Sequence, residues 1–318
     1  MFKKKTYFII EKDPPKKLSY TLSKYGHVLP IGVDGFSDNI EMASTTINEE
    51  TEFWLDAFVK YELSDPKKGI TDDQILNFIL YGTIDKDYID NAISAEQQKP
   101  YLIIRKCLDE IQGILKSNNF LAMLSDFGNG KSIIIQELMA TLSILGHQVF
   151  FLHNPDGDYA TDIEKINKLK EDSVLIIDDY SLHTDILLHI SKFNSPKIKV
   201  IFSERSNNHD RLRKILINEG LNFTEISIDI LQEDEIKHFV SIIDNLGFWG
   251  EKANWRQDRK VDHIKTIDRA QISHILLNLF NSPQIKERID SLLSHIIKNK
   301  DFKDTIFSVC LLEIINLP

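Results

Sequence analysis

Between residues 100 and 230, short apolar runs alternate with amphipathic stretches. Continuous apolar runs are typical of strands buried on both faces, and the stretches between them have helical spacing. This pattern predicts an α/β fold in which two layers of helices cover a parallel sheet. The predicted strands are 120–124, 149–152, 174–177, 198–202 and 223–228. The predicted helices are 101–115, 131–145, 163–169, 186–193 and 212–217.

The first 99 residues have a mixed pattern. Two short apolar runs predict strands, apolar side chains at helical spacing predict helices, and Thr71 is the expected N-cap of one helix. The predicted strands cover 7–10 and 27–33, and the predicted helices cover 18–25, 50–63 and 75–80. We therefore expect an N-terminal α/β remnant followed by a mostly helical region.

The last part of the chain has helical spacing throughout, with breaks at 247–250 and at Pro283. It predicts a helical domain that follows the alternating core. The chain thus divides into three predicted domains, which cover 1–99, 100–230 and 231–318.

Composition and charge narrow the class of protein. The chain has 318 residues, 42% of them hydrophobic, and its 38 basic and 48 acidic residues give a net charge of −10. An acidic chain of this kind is not expected to bind nucleic acid. Two distant cysteines, Cys107 and Cys310, indicate a reducing compartment. No apolar run reaches the roughly 18 residues that span a bilayer, so we expect a cytoplasmic protein without membrane contact.

The clearest chemical signal lies between the first predicted strand of the core and the helix that follows it. Its residues are Ser125, Asp126, Phe127, Gly128, Asn129, Gly130, Lys131 and Ser132. They match the phosphate-binding pattern G-x-x-x-x-G-K-[ST], except that Ser125 stands at the first glycine. The glycines can adopt positive φ and turn successive N–H groups toward an anion. All eight residues are therefore candidate nucleotide ligands, with Lys131 on the phosphates and Ser132 also on Mg²⁺.

Two adjacent carboxylates follow the strand 174–177, in the arrangement known as Walker B. The carboxyl ends of parallel strands meet at the edge where open α/β sheets bind ligands. Asp178 is the predicted metal ligand, and Asp179 is the predicted catalytic residue that polarises an attacking water. Because successive side chains at a strand end alternate in direction, the two carboxylates are expected to diverge and to have different roles.

The strand 198–202 delivers two more polar side chains to the same edge. Ser203 is expected near the γ-phosphate or the attacking water. Arg205 is a candidate catalytic residue that contacts phosphate, although a structural ion pair would explain it equally well.

Together these residues resemble the STAND class of P-loop NTPases, AAA+-related signal-transduction ATPases that include NACHT-like regulators and many bacterial anti-phage defence proteins. The resemblance covers residues 100–315 and rests on segments that fit the class in order and spacing, namely 128–132, 178–179, 202–205 and 226–235. It implies a three-layer P-loop NTPase core with a parallel sheet, flanked by an N-terminal mostly helical region and a C-terminal helical lid.

The first forty residues resemble the closing strand-helix-strand of a sirtuin-like Rossmann domain. They contain no dinucleotide-binding glycine pattern, so no NAD chemistry is expected of this chain.

The STAND resemblance also implies a function. It implies an ATP-binding, slowly hydrolysing switch that binds ATP or ADP with Mg²⁺, and that oligomerises with other copies of itself on activation. A foreign-protein activator and an effector domain or chain are the further partners that it implies. Two alternatives stay open: a nucleotide-bound scaffold without hydrolysis, which Ser125 makes plausible, and a P-loop small-molecule kinase. Against the kinase, no arginine-rich lid follows the core.

Overall fold

The computed structural model describes residues 7–9, 27–29, 54–65, 69–95, 97, 99–193, 195–280, 286–287, 290–291, 294 and 300–315. The chain divides into two compact units, residues 1–55 and 56–318. In the first unit, β1 (Tyr7–Ile9) and β2 (His27–Leu29) lie within the two predicted strands, and they pair in parallel. The helix predicted over 18–25 lies outside the described residues, and so does Pro283.

The second unit contains a six-stranded sheet with the order β3-β5-β6-β7-β4-β8. Its strands are β3 (Phe58–Lys60), β4 (Phe120–Ser125), β5 (Gln148–Leu152), β6 (Ser173–Ile177), β7 (Ile198–Arg205) and β8 (Thr224–Ser227). The strands β4 to β8 pair in parallel, and β3 pairs antiparallel with β5 at one edge. The five parallel strands predicted from the apolar runs are therefore confirmed, and the sixth strand is an addition.

Eleven helices are defined among the described residues. They are α1 (Asp72–Tyr81), α2 (Lys86–Ser94), α3 (Cys107–Leu115), α4 (Lys131–Ile144), α5 (Tyr159–Asn167), α6 (Thr184–Phe193), α7 (Ser206–Asn218), α8 (Glu233–Leu246), α9 (Gln257–Thr266), α10 (Ile272–Phe280) and α11 (Lys300–Ile315). Thr71 caps α1 as predicted, in a capping box with Gln74. This alternation of strands and helices is the fold of a P-loop NTPase core.

The helix predicted over 50–63 is wrong, because part of this segment is the edge strand β3. A buried carboxylate explains why this segment forms a strand. Oδ2 of Asp162, on α5, accepts hydrogen bonds from the backbone N–H groups of Asp56 (2.9 Å), Ala57 (2.7 Å) and Phe58 (3.1 Å). These bonds anchor the chain as it enters the sheet, so a contact some hundred residues away overrides the local helical spacing.

The helix predicted over 101–115 begins six residues late, at Cys107. Side chains from elsewhere accept the backbone hydrogen bonds of the segment that precedes it. The N–H group of Arg105 donates to Oε2 of Glu137 at 3.2 Å, and that of Lys106 donates to Oε1 of Glu235 at 2.6 Å. With these N–H groups satisfied, the segment needs no helix to bury its apolar side chains.

Two apolar clusters lie in the second unit. One packs α3 and α4 on the sheet and includes Ile111, Leu138 and Ile176. The other joins α1 and α2 to α8, α9 and α10, with Ile79, Ile89 and Phe239 among its buried members. The helices before the parallel strands and those after them therefore share one core, which extends to the residues around the loop at 125–132.

Candidate nucleotide-binding site

The loop between β4 and α4 has the backbone that its glycines predicted. Gly128 has φ of 81° and Gly130 has φ of 82°, a region that residues with a side chain rarely adopt. Gly130 is also the N-cap of α4, so the loop ends at a helix N-terminus, where the partial positive charge favours an anion. At Gly128 a Cβ atom would lie 3.3 Å from Cβ of Ser273, so a close packing neighbour also favours glycine there.

Asp229 explains why a serine is tolerated at the start of the loop. Its Oδ1 accepts hydrogen bonds from Oγ of Ser125 (3.0 Å), the backbone N–H of Asp126 (2.8 Å) and Nδ2 of Asn129 (2.7 Å). Ser125 is not among the described residues with positive φ, so its backbone is unstrained. Asp229 thus holds the first half of the loop. No motif of the sequence marks this role of Asp229, because the residue lies about a hundred positions further along the chain than the loop.

Lys131 is the first residue of α4 and is mostly buried, with 15% of its side chain exposed. Its Nζ donates to Oδ1 of Asp178 at 2.7 Å and also to Oδ1 of Asp179. Burial alone would lower the pKa of Lys131, but the two carboxylates outweigh it and the pKa is raised. The lysine is therefore a fixed cation at the helix N-terminus, beside the two acidic groups.

The expectation that the two carboxylates diverge is wrong. Both contact the same ammonium group, because Asp179 has φ of 46° and the chain turns immediately after β6. Left-handed backbone at a residue with a side chain is strained and persists only where neighbouring contacts hold it. The carboxylates of Asp178 and Asp179 therefore converge on Lys131.

Ser203, near the end of β7, donates its hydroxyl hydrogen bond to Oδ1 of Asp178. The same oxygen accepts from the backbone N–H of Asp179 at 3.0 Å and from Lys131. These three contacts all involve Oδ1. A carboxylate oxygen and the nearby serine hydroxyl of Ser132 are hard ligands of the kind that Mg²⁺ prefers, with water completing its shell. The donor set therefore fits Mg²⁺.

Arg205 is the last residue of β7 and lines the same cavity as Asp178 and Asp179. Its guanidinium lies 5.1 Å from the ring centroid of Phe127, which is exposed in the loop. A cation over an aromatic face is attracted by the ring, at a strength of about 0.5–1 kcal/mol for exposed pairs. Arg205 is thus oriented at the rim of the site beside the phosphate-binding loop.

A cavity of about 670 Å³ opens from the loop toward the apolar cluster of α1 and α10. Besides Lys131 and the two carboxylates, its lining includes the apolar residues Tyr101, Leu102, Ile103, Ile272 and Leu276. Small-molecule sites usually have a volume of about 300–1,000 Å³ and mostly apolar walls with a few polar groups. The cavity therefore combines charged and apolar lining residues, and its volume lies within the usual range of small-molecule sites.

Beneath this cavity lies a buried ionic cluster that the sequence did not predict. Nε of Arg105 contacts Oε1 of Glu235 at 3.1 Å, and an Nη atom donates to the backbone oxygen of Ile228 at 2.8 Å. Burial raises the pKa of Glu137 to about 8, although the contacts with Arg105 oppose the shift. The cluster joins α4, α8 and the segment before α3 around the floor of the site.

Comparisons with known proteins give distant similarity only. No protein-family model matches the sequence, and no curated protein matches it significantly. Among solved structures, the chain is similar to the S. cerevisiae Hsp104–ADP complex, with 14% identity and a TM-score of 0.40 over 61% of this chain and 39% of that one. A closed state of Hsp104 with ATPγS and FITC-casein is similar with 14% identity and a TM-score of 0.38, over 70% of this chain and 45% of that one. The S. cerevisiae Hsp104–casein complex in an extended conformation is similar with 13% identity and a TM-score of 0.40, over 60% of this chain and 38% of that one.

The chain spans less than half the length of each of these Hsp104 chains. Within the part of the chain that the structure describes, no helix combines the length and the apolar character needed to cross a membrane. The same residues contain no group of three or more His, Cys, Asp or Glu side chains that could hold a metal ion by themselves.

Proposed function

We propose that this chain is an ATP-binding and slowly hydrolysing switch module of the STAND kind. The observation that carries the proposal is the fixed position of Lys131, at the start of a helix and in contact with carboxylates from the neighbouring strand. Positive φ at Gly128 and Gly130 supports it, because an anion site at a helix N-terminus needs this backbone.

In this proposal the loop 125–132 and Lys131 bind the phosphates, and the apolar residues of the cavity lining bind the base. Ser132 and Asp178 hold Mg²⁺, which supplies charge neutralisation at the phosphates when bound. Asp179 accepts the proton of the attacking water, Ser203 orients Asp178, and Arg205 stabilises negative charge at the rim.

At the level of the whole protein, we propose that nucleotide controls the arrangement of the core (100–230) and the helical lid (231–318), with residues 1–99 preceding them. The module would oligomerise with its own copies on activation, and a foreign protein would be the activator. It would act in the cytoplasm, together with an effector domain or chain, in bacterial anti-phage defence. The contact of α10 with the phosphate-binding loop supports the link between lid and nucleotide: the N–H of Ser273 donates to Oδ1 of Asn129 at 3.0 Å.

Calorimetry with ATP and ADP, with and without Mg²⁺, tests the binding step. We expect micromolar or tighter binding that Lys131→Ala abolishes, because the substitution removes the cation at the start of α4. Lys199→Ala is the matched control, since Lys199 contacts Asn119 on the sheet away from the site. Equal affinity of Lys131→Ala and the parent protein would refute the assignment. Binding without phosphate release, even with candidate activators, would favour the non-hydrolysing scaffold.

A further inference from the structure

A chain of polar contacts runs from the turn after β6 to the surface of α7. Tyr180, the residue after Asp179, is fully buried, and its hydroxyl lies 2.7 Å from Nδ1 of His209 on α7. Nε2 of His209 lies 3.3 Å from Oε1 of Glu225 on β8, and Arg213 contacts the same carboxylate. None of these side chains belongs to the phosphate-binding loop or to its motifs.

The direction of these hydrogen bonds follows from the charge of Glu225. Burial would raise the pKa of this carboxyl, but hydrogen bonds from Arg213 and His209 outweigh it and the pKa is lowered. An ionised carboxylate can only accept, so Nε2 of His209 carries a proton toward Glu225. In the neutral imidazole, Nδ1 is then the acceptor for the hydroxyl of Tyr180, and this bond holds the hydroxyl in place.

Aromatic packing also restrains the Tyr180 ring. The ring meets Phe202 edge to face at a centroid distance of 4.9 Å, and His209 meets Phe223 in the same way at 5.7 Å. A second contact holds the next residue of the turn, where the N–H of Ser181 donates to Oε2 of the buried Glu204 at 3.1 Å. Strained backbone lies directly before these two fixed residues.

That strained residue is Asp179, with φ of 46°. Because left-handed backbone at an aspartate persists only when its surroundings hold it, the contacts of Tyr180 maintain the conformation in which Asp179 reaches Lys131. We propose that Tyr180 and His209 are positioning residues for Asp179: they hold its carboxylate at the phosphate end of the site. The role in hydrolysis rests on the proposed function, while the role in holding the turn is independent of it.

The test combines Tyr180→Phe with Asp179→Asn. Tyr180→Phe keeps the ring and removes the hydroxyl, so we expect kcat for ATP to fall about 10- to 100-fold while KM and ATP affinity stay within about threefold. In the Asp179→Asn background the same change should have almost no further effect, because Tyr180 acts through Asp179. An equal fall in both backgrounds, or parental kcat in Tyr180→Phe, would overturn the proposal.

His209 is tested by two variants that differ in one property. His209→Asn keeps an acceptor near the position of Nδ1 and should retain most of kcat, whereas His209→Leu has no acceptor and should behave as Tyr180→Phe does. Tyr61→Phe is the control for the loss of a buried tyrosine hydroxyl, because Tyr61 bonds Asp90 away from the site. It should lower the melting temperature without lowering kcat. Equal activity of the Asn and Leu variants would contradict the role of His209.

Hydrogen exchange of the nucleotide-free protein separates this proposal from the proposed function. The N–H of Leu182 bonds the oxygen of Asp179 at 3.0 Å, and that of His183 bonds the oxygen of Tyr180 at 2.9 Å. We expect these amides to exchange at least about tenfold faster in Tyr180→Phe, and at the parental rate in Tyr61→Phe. A parent protein without ATPase activity would refute hydrolysis, and the exchange would still decide whether Tyr180 holds the turn. Unchanged exchange would overturn the positioning role.

Discussion

At the scale of single residues, the two adjacent aspartates of the site are chemically equivalent but have different surroundings. Oδ1 of Asp178 is fixed by Ser203, Lys131 and a backbone N–H, whereas Asp179 is more exposed and reaches Lys131 through a left-handed turn. We expect Asp178→Asn to weaken Mg²⁺-dependent ATP binding. Asp179→Asn should leave binding nearly intact and slow hydrolysis by about 10²–10⁴-fold, because an amide cannot take a proton from water.

Binding and turnover of both variants, measured with and without Mg²⁺ in an activated sample, check this prediction. Parental hydrolysis by Asp179→Asn would make that carboxylate structural. Because both carboxylates contact Lys131, loss of either one also lowers the pKa of the lysine, so binding should be measured at pH 7, well below the range in which a lysine titrates.

Asp229 holds the phosphate-binding loop, and Ser125 contributes only one of its contacts. Ser125→Gly should therefore cost about 0.5–1.5 kcal/mol of unfolding free energy, the usual value of one hydrogen bond, and leave nucleotide affinity within about twofold.

Asp229→Leu leaves several buried donors without an acceptor and should cost about 3 kcal/mol or more of unfolding free energy, with loss of nucleotide affinity. Asp229→Asn keeps an acceptor oxygen and serves as the matched control. Urea unfolding and calorimetry measure both effects, and equal costs of the Gly and Leu variants would contradict this view of the loop.

At the scale of elements, Glu137 ties α4 to the segment before α3 through the N–H of Arg105. Its pKa rises from the ordinary value of 4.5 to about 8, chiefly because the side chain is buried. A raised pKa means that the folded state holds a proton that the unfolded state has lost. The contribution of Glu137 to stability is therefore complete below about pH 4.5 and is lost as the pH rises through 8.

Glu137→Gln removes this titration and keeps an acceptor for Arg105. Between pH 5 and pH 8 we expect the unfolding free energy of the parent to fall relative to the variant, by up to about 1.4 kcal/mol per pH unit. Urea unfolding of both proteins at several pH values measures the difference. A constant difference across this range would show that Glu137 does not titrate there.

The elements that the sequence predicted correctly are those whose signal is local. Five parallel strands and their helices follow from apolar runs and helical spacing, and α1 follows from the cap at Thr71. The strand β3 could not be predicted in this way, because only three residues form it and its anchor is Asp162, a hundred residues away. The late start of α3 has the same cause, since Glu137 and Glu235 accept the hydrogen bonds of the segment before it.

In the candidate site, too, the residues with a local signal were predicted and those that depend on long-range contacts were not. Lys131, Asp178 and Ser203 were predicted from motifs, because a strand end or a helix start fixes where each lies. Asp229 and His209 were not, because each acts through a hydrogen bond to a residue far away in sequence. A motif therefore identifies the groups at the ends of strands and the starts of helices in the candidate site, and long-range contacts identify the groups that hold them in place.

At the scale of the whole second unit, one side chain connects the sheet, the loop 125–132 and α10. Asn129 is buried; its Nδ2 donates to Asp229 at the end of the sheet, and its Oδ1 accepts from the N–H of Ser273 at the start of α10. The start of α10 is therefore attached to the same loop that is proposed to bind the phosphates, and a change in the conformation of that loop changes both bonds together. In the proposed function, this contact is the route by which bound nucleotide changes the position of the helical lid.

Asn129→Ala should release the lid without unfolding the core. In nucleotide-free protein we expect the amide of Ser273 and those of the first turn of α10 to exchange at least about tenfold faster, because the acceptor in the loop is gone. The amides of β4 and β7 should keep their protection, since their ladder does not involve Asn129. Ser241→Ala, an exposed change on α8, is the control and should leave all of these rates unchanged. If exchange in the sheet accelerates as much as exchange in α10, then Asn129 supports the whole unit, and the lid does not move independently of the core.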